Sequence, residues 1–278
     1  MRRDMLLSCF VFLSVGPLRA QEEPFVKTGD IAYSSDKSDY AQQQCRLDVY
    51  APKGKTGFPT IVWFHGGGLK GGKRQSGEAF ARRFTREGCG VVLVGYRFSP
   101  QVKSPTYIED AAEAVAWTLK NIEKYKGDPG KVFVSGHSAG GYLTAMVGLD
   151  ARYLEKFGAS PGKLAGLMPV AGQMLTHATI REERGLPAGR PLLDELAPCY
   201  HVNKNAPPFL CFAGELDLPT RAEENLYFAA AMKAAGHKQT ECLIVKGRNH
   251  GSIAGKFADK DDEVAAAMLA FIQKVTGK

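Results

Sequence analysis

The stretch Val132-Phe133-Val134-Ser135-Gly136-His137-Ser138-Ala139-Gly140-Gly141 joins an apolar, strand-like run to a helix-like one through Gly-x-Ser-x-Gly. Glycines at those spacings permit a sharp turn between strand and helix. Such a turn lifts the Ser138 hydroxyl above the end of a sheet and aims it at a helix N-terminus. A five-residue motif also recurs by chance, and a plain glycine-rich turn would account for the glycines alone. The weight therefore falls on what surrounds it.

Outward from that turn, strands and helices alternate. Ile31 to Ser35 and Arg46 to Tyr50 read as two edge strands joined by a polar loop. Thr60-Ile61-Val62-Trp63-Phe64 is apolar on both faces, as a buried parallel strand is. Glu78 to Glu87 reads as a short helix ended by Gly88, and Gly90 to Tyr96 as another buried strand. Ile108 to Tyr125 carries Ala111, Ala112, Val115, Leu119 and Ile122 at helical spacing, and Gly127-Asp128-Pro129-Gly130 reads as the stop and turn after it. A helix from Gly140 to Leu149, a strand at Leu164 to Val170, strands at Phe209 and Leu243 around a helix at Glu223 to Ala235, and a closing helix at Asp261 to Val275 complete the pattern. This alternation predicts an α/β protein with a mostly parallel sheet and helices on both faces. No repeat, long linker or low-complexity tract divides it, so one domain over 21–278 is expected.

Further motifs sit at strand ends. Phe64-His65-Gly66-Gly67-Gly68 follows a buried strand, and its unobstructed amides can aim donors at an oxyanion beside Ser138. The expected hole is the N–H groups of Gly67, Gly68 and Ala139, with His65 orienting the loop through hydrogen bonds. A phosphate-binding loop does not fit, because neither G-x-x-x-x-G-K-[ST] nor G-x-G-x-x-G is present. Downstream, one strand ends in Gly214-Glu215-Leu216-Asp217 and another in His250-Gly251, so Ser138, Asp217 and His250 occur in the order nucleophile, acid, base. His250 would take the serine proton while Asp217 holds the imidazole tautomer. Glu215 is the rival acid, with Asp217 favoured as lying further past its strand. His137 reads as loop packing and His237 as part of a polar turn. His177 and His201 fall in an irregular insert at 172–207 that reads equally as a cap over the site or an exposed connection.

The set HGGG at 65–68, GHSAG at 136–140, GELD at 214–217 and the late His250 resembles the α/β-hydrolase superfamily, specifically its HGGG-type serine esterases and lipases, over nearly all of residues 21–278. The resemblance implies an eight-stranded α/β-hydrolase sheet with a short cap insert, Ser138, Asp217 and His250 as catalytic residues, an acyl-enzyme intermediate, and no cofactor. Leu47-Asp48-Val49-Tyr50-Ala51-Pro52 and Ala206-Pro207-Pro208-Phe209-Leu210 are similar to the feruloyl- and acetylxylan-esterase-like branch, whose members deacylate plant polysaccharides or small esters. Leu69-Lys70 departs from the aromatic residue that relatives often carry after HGGG. An amide-cleaving hydrolase of the same fold, of peptidase or aryl-formamidase type, and a non-catalytic binding module are the alternative functions.

At 278 residues with 44% hydrophobic and 23% charged residues, the chain falls outside disordered and collagen-like classes. Met1-Arg2-Arg3-Asp4, the apolar run Met5 to Val15, Gly16-Pro17 and Ala20 read as a signal peptide over 1–20, which predicts a secreted or periplasmic protein. The run falls short of the ~20 residues needed to span a bilayer, and no later segment approaches that length, so no integral membrane segment is expected. Without residues 1–20 the formal charge falls from +7 to 33 basic against 28 acidic residues, thinly spread, with no basic stripe to support a nucleic-acid partner. The expected partner is a small-molecule or polysaccharide acyl ester. Cys45, Cys89, Cys199, Cys211 and Cys242 show no metal-ligand spacing, so no metal is expected. A Cys211–Cys242 disulfide would require their strands to be neighbours.

Overall fold

The computed structural model describes residues 23–277, and the expected leader at 1–20 lies outside them. Among the described residues, eight strands form one sheet: β1 (Phe25–Ala32), β2 (Arg46–Pro52), β3 (Phe58–Phe64), β4 (Gly90–Val94), β5 (Gly127–His137), β6 (Gly166–Val170), β7 (Phe209–Leu216) and β8 (Thr240–Asn249). Their spatial order is β1-β2-β4-β3-β5-β6-β7-β8. The β1/β2 and β2/β4 pairs are antiparallel, and every pair from β4 onward is parallel. The helices are α1 (Asp39–Gln44), α2 (Glu78–Arg86), α3 (Thr106–Asn121), α4 (Ala139–Leu149), α5 (Ala151–Glu155), α6 (Ala178–Glu183), α7 (Arg221–Ala234), α8 (Ser252–Gly255) and α9 (Glu263–Thr276).

Side-chain alternation along the strands builds two cores. Val62 and Phe64 of β3 join Val92, Val94, Val132 and Val134 against Tyr107, Ile108 and Val115 of α3 and Leu143 of α4. Ile61 and Trp63 face the other way, with Val91, Leu93 and Phe133, toward Phe80 and Phe84 of α2 and Val264, Met268 and Ile272 of α9. Trp63 stacks on Phe80 with ring centroids 4.0 Å apart. Every residue of α4 is buried, so the helix behind the elbow is apolar all round and is held by packing on every side.

This topology positions the site. β3 lies between β4 and β5, so the strand order reverses there, and ligands of open α/β sheets bind at the carboxyl ends beside such a reversal. The register pairs Phe64 with Gly136, which makes the glycine loop after β3 and the elbow after β5 emerge side by side.

Three local expectations are corrected. β2 is an interior strand flanked by β1 and β4, and α1 sits in the connection before it, with Ser38 Oγ accepting the Ala41 N–H. β1 ends at Ala32, ahead of the expected segment's end, and Tyr33 instead donates its hydroxyl to Gly95 O at 2.8 Å. Gly127 to Gly130 lies inside β5, because a register shift between Phe58 and Thr60 absorbs the extra residues that a turn was expected to hold. The helix before it ends at Asn121 and finishes in a 3₁₀ turn over Ile122–Tyr125, closed by Lys126 in the left-handed region.

Cys211 and Cys242 are register partners on adjacent β7 and β8, yet neither they nor Cys45, Cys89 and Cys199 form a disulfide among the described residues. Burial pushes the Cys211 thiol well above its ordinary value, so it behaves as a core residue. Among the described residues no helix is long and apolar enough to cross a membrane, and no group of three His, Cys, Asp or Glu is placed to hold a metal ion.

Candidate active site

Ser138 occupies the turn between β5 and α4 at φ 57° and ψ −116°, a conformation that costs a non-glycine residue about 1–3 kcal/mol. Close backbone approaches explain why the turn persists and why its neighbours are glycines. A Cβ on Gly140 would lie 2.1 Å from Phe64 O, and one on Gly136 2.6 Å from the same oxygen. On Gly141 it would meet Gly172 Cα at 2.8 Å. The Ser138 amide donates to Val170 O at 2.8 Å, tying the elbow to the end of β6.

His250 follows β8 and is steadied by a tight turn in which Asn249 Oδ1 accepts the Gly251 and Ser252 amides. Its Nε2 lies 2.8 Å from Ser138 Oγ, and its Nδ1 lies 2.6 Å from Asp217 Oδ1. An ionised carboxylate only accepts, so the ring proton sits on Nδ1 and Nε2 is free to accept from the serine hydroxyl. Burial pushes the Asp217 carboxyl up, but the hydrogen bonds from His250, Gly214 N–H and Leu218 N–H outweigh it and hold the group below its ordinary value. Glu215 is elsewhere: its Oε2 accepts the Gly247 amide at 2.9 Å.

The glycine loop presses on the elbow. A Cβ on Gly66 would come within 3.3 Å of Ser138 Cβ, and one on Gly67, at φ 121°, within 2.0 Å of Gly71 O. The loop's carbonyls are occupied. Gly67 O accepts the Lys70 amide, Leu69 O the Ser99 amide, and Gly68 O the Thr179 hydroxyl from α6. Among the described residues, the amides of Gly67, Gly68 and Ala139 donate no hydrogen bond and keep their capacity. His65 donates from Nδ1 to Gly66 O at 2.7 Å and stacks on Tyr96, while its Nε2 is buried without a partner. Burial pushes this imidazole down to about 4.

The other histidines have defined duties. His137 is more than packing, because its Nε2–H donates to His250 O at 2.7 Å and so fixes the backbone of the histidine that faces Ser138. Burial first, and then the neighbouring His250, lowers its pKa to about 4. His177 caps α6, with Nδ1 accepting the Thr179 amide at 3.2 Å. His201 bonds Glu195 O within the insert, and His237 bridges Thr240 and Ala206 O.

Residues 172–207 lie against this loop rather than apart from it. Besides the Thr179 contact, Lys70 pairs with Glu182 of α6. The first turns of α7 hold the start of the insert: Arg221 Nη1 donates to Ala171 O, Asn225 Nδ2 to Gly172 O, and Glu224 Oε2 accepts the Met174 amide. Sequence reasoning missed these three residues. They are polar positions on the buried side of a helix, with no motif around them to draw notice.

A family model described as the alpha/beta hydrolase fold matches residues 61–254. "Esterase LipC" of Mycobacterium tuberculosis (strain ATCC 25618 / H37Rv) is 28% identical over 214 residues, 69% of this chain and 53% of that protein. The chain thus spans about half the length of such curated relatives. A hyperthermophilic esterase from the archaeon Pyrobaculum calidifontis superposes with a TM-score of 0.68 at 26% identity, covering 84% of this chain and 82% of that one. A truncated carbohydrate esterase from gut microbiota shares the fold with a TM-score of 0.77 at 20% identity, over 92% and 99% of the two chains.

Proposed function

The chain belongs to the alpha/beta hydrolase fold family, and from that premise we propose that it is a serine carboxylic-ester hydrolase working through an acyl-enzyme. The observation that carries this reading is the continuous relay from Ser138 Oγ to His250 Nε2, 2.8 Å, and from His250 Nδ1 to Asp217 Oδ1, 2.6 Å, built on a strained elbow. Ser138 Oγ attacks the ester carbonyl carbon as His250 takes its proton, and the Asp217 carboxylate stabilises the resulting imidazolium. The oxyanion draws on the unspent amides of Gly67, Gly68 and Ala139, each worth on the order of 10²–10³ in rate. Collapse expels the alcohol with the proton from His250, and water repeats the sequence on the acyl-enzyme.

The proposed substrates are small or carbohydrate-linked acyl esters. The short insert supports this class, since a long lipid tail would call for a larger continuous apolar lid. We take residues 21–278 as one catalytic unit with 172–207 as its cap, a division supported by the single sheet that runs through the described residues. Residues 1–20 are proposed as a removable leader for export to the periplasm or medium, with no nucleic-acid partner. N-terminal sequencing of the exported protein tests that point.

Hydrolysis of p-nitrophenyl acetate by the purified protein, abolished in a folded Ser138→Ala variant, is the expected result. Undiminished turnover in that variant would remove Ser138 as nucleophile. Cleavage of a matched anilide in preference to the ester would assign the site to amides instead.

A further inference from the structure

The ester-hydrolysing relay leaves a set of donors beside it unused. Arg221, at the start of α7, is only 7% exposed. Its Nη1 donates to Ala171 O at 2.5 Å, its Nε is buried with no acceptor, and its Nη2 has no partner yet is not sealed from solvent. No carboxylate of the described residues pairs with it. Glu224 and Asp217 are the acids whose charges it feels, but Glu224 is held by Met174 N–H and the Thr220 hydroxyl, and Asp217 by His250, Gly214 and Leu218. A guanidinium taken out of water without an anion is strongly unfavourable.

Arg181 of α6 repeats the pattern at 5% exposure. Nη1 donates to Arg190 O at 2.7 Å, Nε is buried without an acceptor, and Nη2 is unspent. His177 adds a third donor, because its Nδ1 accepts from Thr179 and its proton must therefore sit on Nε2, which meets no acceptor. His177 and Arg181 stand about one turn apart at the start of α6, which the Thr179 hydroxyl ties to Gly68 O of the glycine loop; burial first, and then the charges of Arg221, Arg181 and Lys70, pushes the His177 imidazole down to about 3. Their anchors border the elbow. Arg221 holds the carbonyl of Ala171, the residue after Val170, whose own carbonyl receives the Ser138 amide. The His177 ring lies 5.2 Å from that of Tyr142 in the first turn of α4.

We propose that Arg221, Arg181 and His177 form a carboxylate-binding subsite, so that the esters hydrolysed at Ser138 carry an anionic carboxylate a short distance from the scissile carbonyl. The inference rests on the ester-hydrolase reading and narrows it. A guanidinium offers a planar pair of N–H donors that matches a carboxylate, and two buried ones, neither in an ion pair among the described residues, leave positive charge beside the elbow unmatched.

The test compares each acid-bearing ester with its neutral methyl-capped counterpart on the purified full chain. On the acyl side the pair is mono-4-nitrophenyl glutarate and methyl 4-nitrophenyl glutarate. On the alcohol side it is 4-acetoxybenzoate and methyl 4-acetoxybenzoate. One of the two pairs is expected to show kcat/KM higher for the acid by about tenfold or more, the scale of a charge-assisted hydrogen bond. Arg221→Gln is expected to collapse that ratio toward one. Equal kcat/KM within both pairs for the unaltered protein overturns the proposal, a comparison that needs no variant to fold. An Arg221→Gln variant that slows both members equally also overturns it, because a purely structural arginine would act that way. Turnover of the neutral esters reports on the ester-hydrolase reading separately, so the subsite can fail while that reading stands.

Discussion

Lowering the pH from 8 to 5 should destabilise this protein far more than its carboxylates alone would, because burial holds three histidines neutral inside it and protonating each meets a different local obstacle. Protonating His65 would place a charge on an Nε2 that has no acceptor. Protonating His177 at Nδ1 would turn the acceptor that caps α6 into a donor. Protonating His137 would set a cation beside His250. Burial is the leading cause in each case, and the folded values lie at about 4, 3 and 4 for His65, His177 and His137. The unfolded chain binds these protons near the ordinary histidine value of about 6.5. The stability is therefore fully present above about pH 7.5 and drains away as the pH falls through 6.5 toward 4, because the unfolded state holds more protons there. At pH 5 each fully buried histidine contributes a loss of about 2 kcal/mol, and His137, only partly shielded, somewhat less, or about 5 kcal/mol together. For a chain of this size that corresponds to a fall in Tm of about 10–20 °C. Differential scanning fluorimetry across pH 5 to 8 measures it, and His177→Asn, which retains a capping acceptor, should flatten the slope by about a third. A Tm that moved by no more than about 3 °C over that range would refute the assignment of these rings as buried and neutral.

Asp217→Asn should lower kcat by orders of magnitude through the wrong imidazole tautomer, and Glu215→Gln far less. The opposite ranking in p-nitrophenyl acetate hydrolysis would move the acid role to Glu215. Gly140→Ala must push its new Cβ off Phe64 O, at a cost of about 1–3 kcal/mol or more with a matching loss of kcat, whereas Gly162→Ala, with open space around it, should stay within about 0.5 kcal/mol in urea titration. Thr179→Val removes the hydroxyl that holds Gly68 O, so kcat should fall by up to about fivefold with Tm nearly kept; equal loss in Tm and kcat would make the contact merely structural. Ser138→Gly should unfold at a higher Tm than Ser138→Ala, because only the glycine releases the strain at φ 57°, and equal Tm values would argue against that strain.

What could be read from the chain was what local pattern encodes. Glycines at 136, 140 and 141 are spaced by the turn they make, and the buried strands at β3 and β4 show as unbroken apolar runs. The contrast between Glu215 and Asp217 has a register cause: β7 stays paired through Leu216 with Asn249, so Glu215 is still in the ladder facing Gly247, and Asp217 is the first residue free of it. Neighbour relations were not readable. Alternation along Arg46–Pro52 is the same for an edge and an interior strand, so β2 passed for an edge. Pro129 and Gly130 signal a turn whether the chain bends or bulges within a strand, and only the pairing of Phe58 with Gly127 decides between them. Arg221, Glu224 and Asn225 reach carbonyls and amides some 50 residues away, a contact that no window of sequence contains.

Strain in this molecule is distributed unevenly, and the distribution bears on how the site works. Of the six described non-glycine residues with positive φ, Leu69, Ser138, Ala171 and Thr220 fall just past the carboxyl ends of β3, β5, β6 and β7. Each costs about 1–3 kcal/mol, so the four together approach the whole net stability of an ordinary domain, about 5–15 kcal/mol. Three of them are held by contacts from other elements. Ser99 N–H takes Leu69 O, Val170 O takes Ser138 N–H, and the amide of Ala171 and its carbonyl are fixed by Phe212 O and Arg221. The glycine-loop carbonyls are likewise occupied, by the Lys70 and Ser99 amides and the Thr179 hydroxyl, while among the described residues the amides of Gly67, Gly68 and Ala139 stay unspent. In the proposed oxyanion hole, donors that are already unpartnered would have no hydrogen bond to give up when an oxyanion develops, which is the condition under which electrostatic stabilisation contributes most to rate. The apolar α4 and the two packed cores thus give the proposed chemistry its physical support, since a rigidly packed sheet end can hold four strained residues just past its strands.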